Sequence, residues 1–346
     1  MPGVNPSDLP AAHGPAPRRR LPTELWTLLA LLAVYGLFLA LCLWRHEPAF
    51  LSFYNLKTII THTVIVGIGA LGMTLLIISG NMDLSAGSLI ALTTVVTALV
   101  LKAGGAVPGV GLPVMAALAG VLAATVCATV SGVVTSRFRI TPFIVTLGMM
   151  QIARGLAKWL GENQTVVPPA SWLNTLMMVD PGVADPRLGG LIVAPGVWLL
   201  LLLTVLVHLL LRTTVFGRHV YAVGSSPATA RLCGIHVEAT TVITFALGGL
   251  FTGLAGVMQF ANLTVGDPTA AVGMELDIIA AVVIGGGSLN GGEGSAAGTL
   301  IGALLMTVLR NGCNMMGWEN YVQNIIVGAV IIGAVAIDSL KHRYAR

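Results

Sequence analysis

The sequence predicts an all-α, polytopic integral membrane protein with about ten transmembrane helices, broken or shortened near residues 80–84 and 285–295. Three observations predict it. Hydrophobic residues make up 55% of the chain and charged residues only 9%. Soluble domains carry about 25% charged residues, so little here could face water. Apolar runs approaching the roughly 20 residues of a bilayer crossing recur along nearly the whole chain. The 42 glycines suit helices that pack closely where no hydrophobic force drives them together.

Residues 1–24 are polar and proline-rich and end near Arg18, Arg19 and Arg20, the composition of a disordered tail. The apolar run 25–44 is longer than the 7–15 residues of a secretory h-region and lacks a clear small-x-small cleavage site, so it reads as a retained first span. Further spans are expected at 58–79, 84–101, 113–135, 142–160, 191–211, 241–262, 276–284, 296–309 and 321–337. A single membrane domain thus occupies 25–340, and a short tail fills 341–346. If the first residue lies inside and the spans alternate, then Arg137, Arg139, the 212–240 loop, Lys341, Arg343 and Arg346 lie inside. The 161–190 loop, with Glu162, Asp180 and Asp185, then lies outside. The excess of Lys and Arg on cytoplasmic loops supports that parity and puts both termini in the cytoplasm, with Arg45 and Lys57 the exceptions.

Two breaks echo one another: S-G-N-M-D-L-S-A-G-S at 79–88 and G-G-S-L-N-G-G-E-G-S at 286–295. Both fall on the same side, as a same-orientation duplication or chance similarity among so many glycines would place them. Irregular backbone at membrane depth survives only inside protein or along a water-filled path. Gly-interrupted apolar segments are also the sequence pointer to a transporter's binding region. The polar residues at these breaks, Asn81, Asp83, Ser85, Ser88, Ser288 and Asn290, are therefore candidate pathway residues, together with Asp277 at the head of the 276–284 span. For Asp83 two readings stand: contact with the passing solute, or a cap on the helix that starts near Leu84. Glu275 and Asp277 read as first-turn acids at a helix N-terminus; one residue apart, they do not share a helix face. Arg154 and Lys158 read as snorkelling side chains.

Other chemistry finds no support in the chain. No G-x-x-x-x-G-K-[ST] is present, so ATP is not expected to bind here, and no H-E-x-x-H or G-x-S-x-G appears. Cys42, Cys127, Cys233 and Cys313 show no C-x-x-C spacing. No catalytic residue, metal site or cofactor is expected. The net charge of +4 is scattered over segment ends and gives no nucleic-acid stripe. The residues describe a conduit. In the 212–240 loop, Ser226-Pro227 reads as N-cap and first helical position, with Gly234 as a stop, which predicts a short helix over 227–233. That helix either docks on a cytoplasmic partner or is a solvated loop helix.

Collinear motifs add a family resemblance covering about 55–338. They are D-L-S-x-G-S at 83–88, T-P-F-I-V-T-L-G-M-M at 141–150 with Arg154-Gly155, and G-R-x-x-Y-A-V-G at 217–224. Then come A-R-L-x-G-I at 230–235, E-L-D-x-I-A-A-V-V-I-G-G at 275–286 followed by S-L-x-G-G-x-G, and N-G-x-N at 311–314. The chain resembles the permease subunits of ABC importers for ribose, galactose, xylose and similar monosaccharides. The resemblance implies a bacterial inner-membrane protein in which two permease copies form the channel. Two cytoplasmic ATPase subunits would carry ATP and Mg, and a periplasmic solute-binding protein would deliver the sugar. Gly217, Arg218, Ala222, Gly224, Ala230, Arg231, Gly234 and Ile235 would then belong to the coupling loop seated on the ATPase. The chain departs from the family pattern at Asn81 and Met82, where glycine and isoleucine are usual, and at Glu293. Related permeases for branched-chain amino acids, nucleosides or a furanosyl signal molecule are the alternatives within transport. The alternative outside it is an ion-coupled secondary transporter using Asp83.

Overall fold

The structure is a computed structural model that describes residues 23–45, 48–105, 109–180, 182 and 191–343. Residues 1–22 of the tail expected at 1–24, Asp185 and Arg346 lie outside the described residues, and Thr23 and Glu24 already belong to the first helix. The helices in order are α1 (Thr23–Trp44), α2 (Phe53–Ile78), α3 (Ala86–Gly104), α4 (Gly111–Phe138), α5 (Pro142–Leu160) and α6 (Pro195–Thr213). They continue with α7 (Val215–Ser225), α8 (Pro227–Leu232), α9 (Val237–Leu263), α10 (Met274–Ile284), α11 (Ala296–Met315) and α12 (Asn320–Arg343). The one β feature among the described residues is an isolated bridge between Val166 and Gly266.

Among the described residues seven helices, α1, α2, α3, α4, α6, α9 and α11, are long and apolar enough to cross a bilayer. The remainder explain why an expectation of ten is approximate. Gln151, Arg154 and Lys158 dilute α5. The 11 residues of α10 rise only about 16 Å, half a hydrocarbon core. α12 is apolar from Asn320 to Gly333 and runs on to Arg343, so the expected tail at 341–346 is helical over its first three positions. Within 212–240 the expected single helix is preceded by a second, α7, whose start is capped by Thr214 Oγ1 accepting from Gly217 N at 3.0 Å.

α2 is the axis of the bundle: 89% of its most apolar window is buried, against 17% for α1 and 28% for α6. It packs on α9, α11, α10 and α6, while α1, α4 and α6 turn leucine and valine faces outward. Small residues let backbones touch where lipid offers no hydrophobic drive. Gly302 of α11 lies so close to the Ala281 carbonyl of α10 that a Cβ there would overlap it. α1 packs on α11 far along the chain. Thr27 Oγ1 donates to the Ile284 carbonyl at 3.0 Å, and Ser295 Oγ to Glu24 Oε1 at 3.1 Å. Phe38 lies over Gly312, and Arg45 Nη1 donates to the Met316 carbonyl at 3.2 Å.

Packing neighbours give a common depth scale along α9. Gly72 lies on Gly248, Thr93 on Gly256, and Ile278 on Gly69. At about 1.5 Å per residue, α3 begins about 18 Å and α10 about 27 Å from the Val237 end of α9, itself about 40 Å long. Both therefore start inside the bundle instead of at its ends.

Candidate functional site

The two internal N-termini meet. A Cβ on Gly87, in the first turn of α3, would overlap the Ala271 carbonyl and the Glu275 carboxylate at the start of α10. The strand of chain between α9 and α10 reaches this depth without regular structure. It leaves α9 through Thr264 (φ 62), pairs with Val166 at Gly266, and passes through Ala271 (φ 58) and Gly273 (φ 82). Bare carbonyls at such depth need donors. Arg154 Nη1 supplies them, donating to Pro268 at 3.0 Å and Ala270 at 2.8 Å. The snorkelling expected of Arg154 is thus replaced: its guanidinium turns inward, because five donors on a planar fork suit adjacent carbonyls. Asp267 closes its own turn, with Oδ1 accepting from Thr269 N and Oγ1, both at 2.7 Å. Val272, 74% exposed, stands at the tip.

Above this segment lies a cavity of about 480 Å³, walled by the first half of α2 (His62), the end of α9 (Gln259, Asn262) and the second half of α11 (Arg310, Asn314). Asp277 closes its floor. Arg310 donates to Asp277 Oδ2 through Nε and Nη2, each at 2.7 Å. The acid is nearly buried, and the Arg310 side chain is 33% exposed. The wall is braced by a relay: Asn311 Nδ2 to Asn55 Oδ1 at 3.0 Å, Asn55 Nδ2 to the Phe50 carbonyl at 3.0 Å, and Gln323 Nε2 to Asn314 Oδ1 at 2.6 Å. Among the described residues no cluster of His, Cys, Asp and Glu could hold a metal ion. Beside apolar Ile65, Val66, Val272, Met274 and Met306, the cavity offers amide, imidazole, hydroxyl and paired-charge groups, a lining that can hydrogen-bond a neutral polar solute.

At the opposite, arginine-rich end both breaks meet α7. Gly292 N donates to the Ile78 carbonyl at 2.8 Å, which ties the glycine-rich break to the end of α2. Gly224 of α7 fits between these two groups, and a Cβ there would overlap the Ile78 oxygen. Tyr221 OH donates to the Gly294 carbonyl at 2.7 Å. α7 therefore rests, backbone on backbone, on the segments that interrupt the bundle.

A family model described as "Branched-chain amino acid transport system / permease component" matches residues 55–335. The ribose import permease protein RbsC of Escherichia coli K12 is 37% identical over 330 residues, covering 94% of this chain and 98% of that protein. RbsC of Bacillus subtilis 168 is 36% identical, covering 85% of this chain and 88% of its own. The L-arabinose ABC transporter permease protein AraH of Azospirillum brasilense is 33% identical, covering 86% and 84%. The chain belongs to this permease family. No solved structure matches it.

Of the permease's expected pathway residues, Asp277 lines the cavity. Asp83, Ser85 and Ser88 are buried at the start of α3, and Ser288 is buried within the glycine break. Asn290 is exposed and Asn81 half-buried, with Asn81 Nδ2 donating to Ser79 Oγ at 2.9 Å. Asp83 Oδ1 accepts from Ser85 N at 2.8 Å and Ser85 Oγ at 2.5 Å. It thus closes a turn just before α3 rather than satisfying the helix's own first N–H groups. Asp83→Ala is expected to lower the folded yield of the permease severalfold, on the scale of a lost cap of about 1 kcal/mol, with solute preference unchanged. Asp83→Asn, which keeps an oxygen for Ser85, retains most of that yield. Normal yield of Asp83→Ala with altered selectivity in uptake assays would contradict this.

Of the residues expected in the coupling loop, Gly217, Gly224 and Ala230 are buried, Ala222 and Ile235 half-buried, and Arg218, Arg231 and Gly234 exposed. Gly234 takes φ 82 just past α8, as a stop residue should. Arg231 pairs with Glu238 at 2.7 Å on the surface. Cavity residues His62, Gln259, Asn262, Arg310 and Asn314 escaped the sequence reading. The signal lay in Thr307, Arg310, Asn311 and Asn314, spaced as one helical face. The apolar run ended at 309, which left the last three in a supposed loop.

Proposed function

We propose that this permease forms the membrane pathway of an ATP-driven ABC importer for a monosaccharide. The observation that carries the proposal is full-length similarity to permeases named for ribose and L-arabinose import. The amide and paired-charge groups of the cavity agree with a sugar entering the pathway from that end. Two copies of the chain face one another, a periplasmic binding protein delivers the solute at the cavity end, and the arginine-rich end, with both termini, faces the cytoplasm of an inner membrane. ATP and Mg belong to two separate ATPase subunits, and the permease itself carries no cofactor.

α8 is the contact to those ATPases. Leu232 is 90% exposed at its end beside Arg231, an apolar tip with a charge next to it. A push on α8 passes to α7, and through Gly224 and Tyr221 to the breaks after α2 and α10. Two discrete packings of that junction, biased by nucleotide on the ATPase, would expose the pathway to one side or the other.

The test is purification of the tagged chain from mildly solubilised native membranes, followed by uptake measurements. A co-purifying chain with G-x-x-x-x-G-K-[ST] is expected, as is a secreted binding protein that can be screened against sugars. Arg231→Glu is expected to insert normally yet cut sugar uptake about tenfold or more, while the ATPase goes on hydrolysing. Uptake at the normal rate would remove α8 from this role. Recovery of the chain alone, with uptake collapsed by an uncoupler, would turn the reading to an ion-coupled transporter.

A further inference from the structure

A second cleft of about 480 Å³ opens at the arginine-rich end between the close of α4 (Val133, Ser136, Arg137, Arg139) and the opening of α9 (Glu238, Ala239, Val242). Its rim and its floor differ in chemistry. Arg137 and Arg139 are exposed, and among the described residues neither has an ion-pair partner. Arg139 sits in the left-handed region (φ 53) where α4 ends. The cleft's one acid, Glu238, is engaged by Arg231 at 2.7 Å, and Ser136 Oγ donates weakly to the Glu238 carbonyl at 3.4 Å. Glu238 also lies within electrostatic reach of Arg139, so one acid, already paired with Arg231, faces the two further cations at the mouth.

Behind them the wall is apolar and continuous. Val133 is followed along α4 by Val130, Val126 and Leu122, all 46–63% exposed at steps of three and four residues. Across the groove α9 presents Val242, half-buried, and Ile243, 46% exposed. A basic mouth at the interface, continued by an apolar groove into the bilayer, has the charge and polarity profile of one lipid.

We infer that this cleft binds one anionic phospholipid, its phosphate held by Arg137 and Arg139 and an acyl chain laid along the α4–α9 groove. Occupancy sets a phosphate beside the Arg231–Glu238 pair and so places the lipid next to the base of α8. The site is independent of which solute crosses the membrane.

The test uses the full chain, with whatever subunits accompany it, in mild detergent. It is offered phosphatidylglycerol and phosphatidylcholine of the same acyl chains in equal amounts, and bound lipid is counted by native mass spectrometry. One phosphatidylglycerol per permease is expected, preferred over phosphatidylcholine about tenfold, as two juxtamembrane arginines suggest. R137Q/R139Q is expected to reduce the preference to about twofold or less. Val242→Trp, which keeps both arginines but fills the groove, should also lose the retained lipid, and it decides the matter if the double variant folds poorly. Arg212→Gln, a basic residue at the same end but outside the cleft, should change nothing. Equal retention of the two lipids, an equal loss in Arg212→Gln, or phosphatidylglycerol bound only after the accompanying subunits are stripped away would each overturn the assignment.

Discussion

Replacing Gly224 with valine is expected to reduce uptake by the permease at least a hundredfold. The new side chain would enter space held by the Ile78 carbonyl and Gly292 N. Both are backbone atoms already bonded to each other, and neither can swing aside as a flexible side chain would. Overpacking typically costs about 1–3 kcal/mol; here it also pushes α7 off the two breaks it rests on. Radiolabelled sugar uptake in whole cells, normalised to folded permease in the membrane, is the measurement. Should valine prevent folding, Tyr221→Phe supplies the gentler case. It removes only the 2.7 Å bond to the Gly294 carbonyl and should cost uptake a few-fold at normal yield. Wild-type uptake in both variants would mean that α7 moves nothing.

Arg310→Met is the second large effect, and it is one of stability. Asp277 is almost wholly buried, with Oδ2 held twice by Arg310, and removing the cation leaves a buried acid without its counter-charge. Breaking such a pair costs about 3–5 kcal/mol, whereas replacing both partners by apolar groups is often near neutral. The thermal midpoint of the purified single variant should therefore fall by many degrees. The double variant Asp277→Leu/Arg310→Met should recover most of that loss. Uptake should stay low in the double variant, because the cavity has lost its paired charges. A single variant as stable as the parent would show that the pair contributes little.

Membrane class, the two breaks and the short α8 were all legible in the sequence, because each rests on local chemistry: apolar length, glycine runs, and the Ser226-Pro227 start with its Gly234 stop. Depth was not. A turn inside the membrane and a turn at the surface have the same composition, and packing contacts such as that of Gly87 with Ala271 and Glu275 are what place the start of α10 inside the bundle. The inward turn of Arg154 follows from the same irregular segment, whose open carbonyls no pattern of residues announces. α7 was hidden differently. Its hydrophobic residues are too few for a span, although Thr214 three residues before Gly217 is a usable capping signal. The polar face of α11 was lost to a boundary: its charged and amide residues ended the apolar run at 309, yet the helix continues to Met315 because those side chains face protein and a cavity instead of lipid.

The pairing of α1 with α11 carries a consequence for biosynthesis. The ribosome releases α1 first, and its partners Ile284, Ser295, Gly312 and Met316 emerge some 250 residues later. At about 5–20 residues per second, the first helix waits for many seconds beside lipid or the insertion machinery, with Thr27 and Arg45 lacking their final acceptors. Chains that stop short of α11 should thus leave α1 unanchored and be cleared by membrane quality control, even though every earlier helix has been inserted.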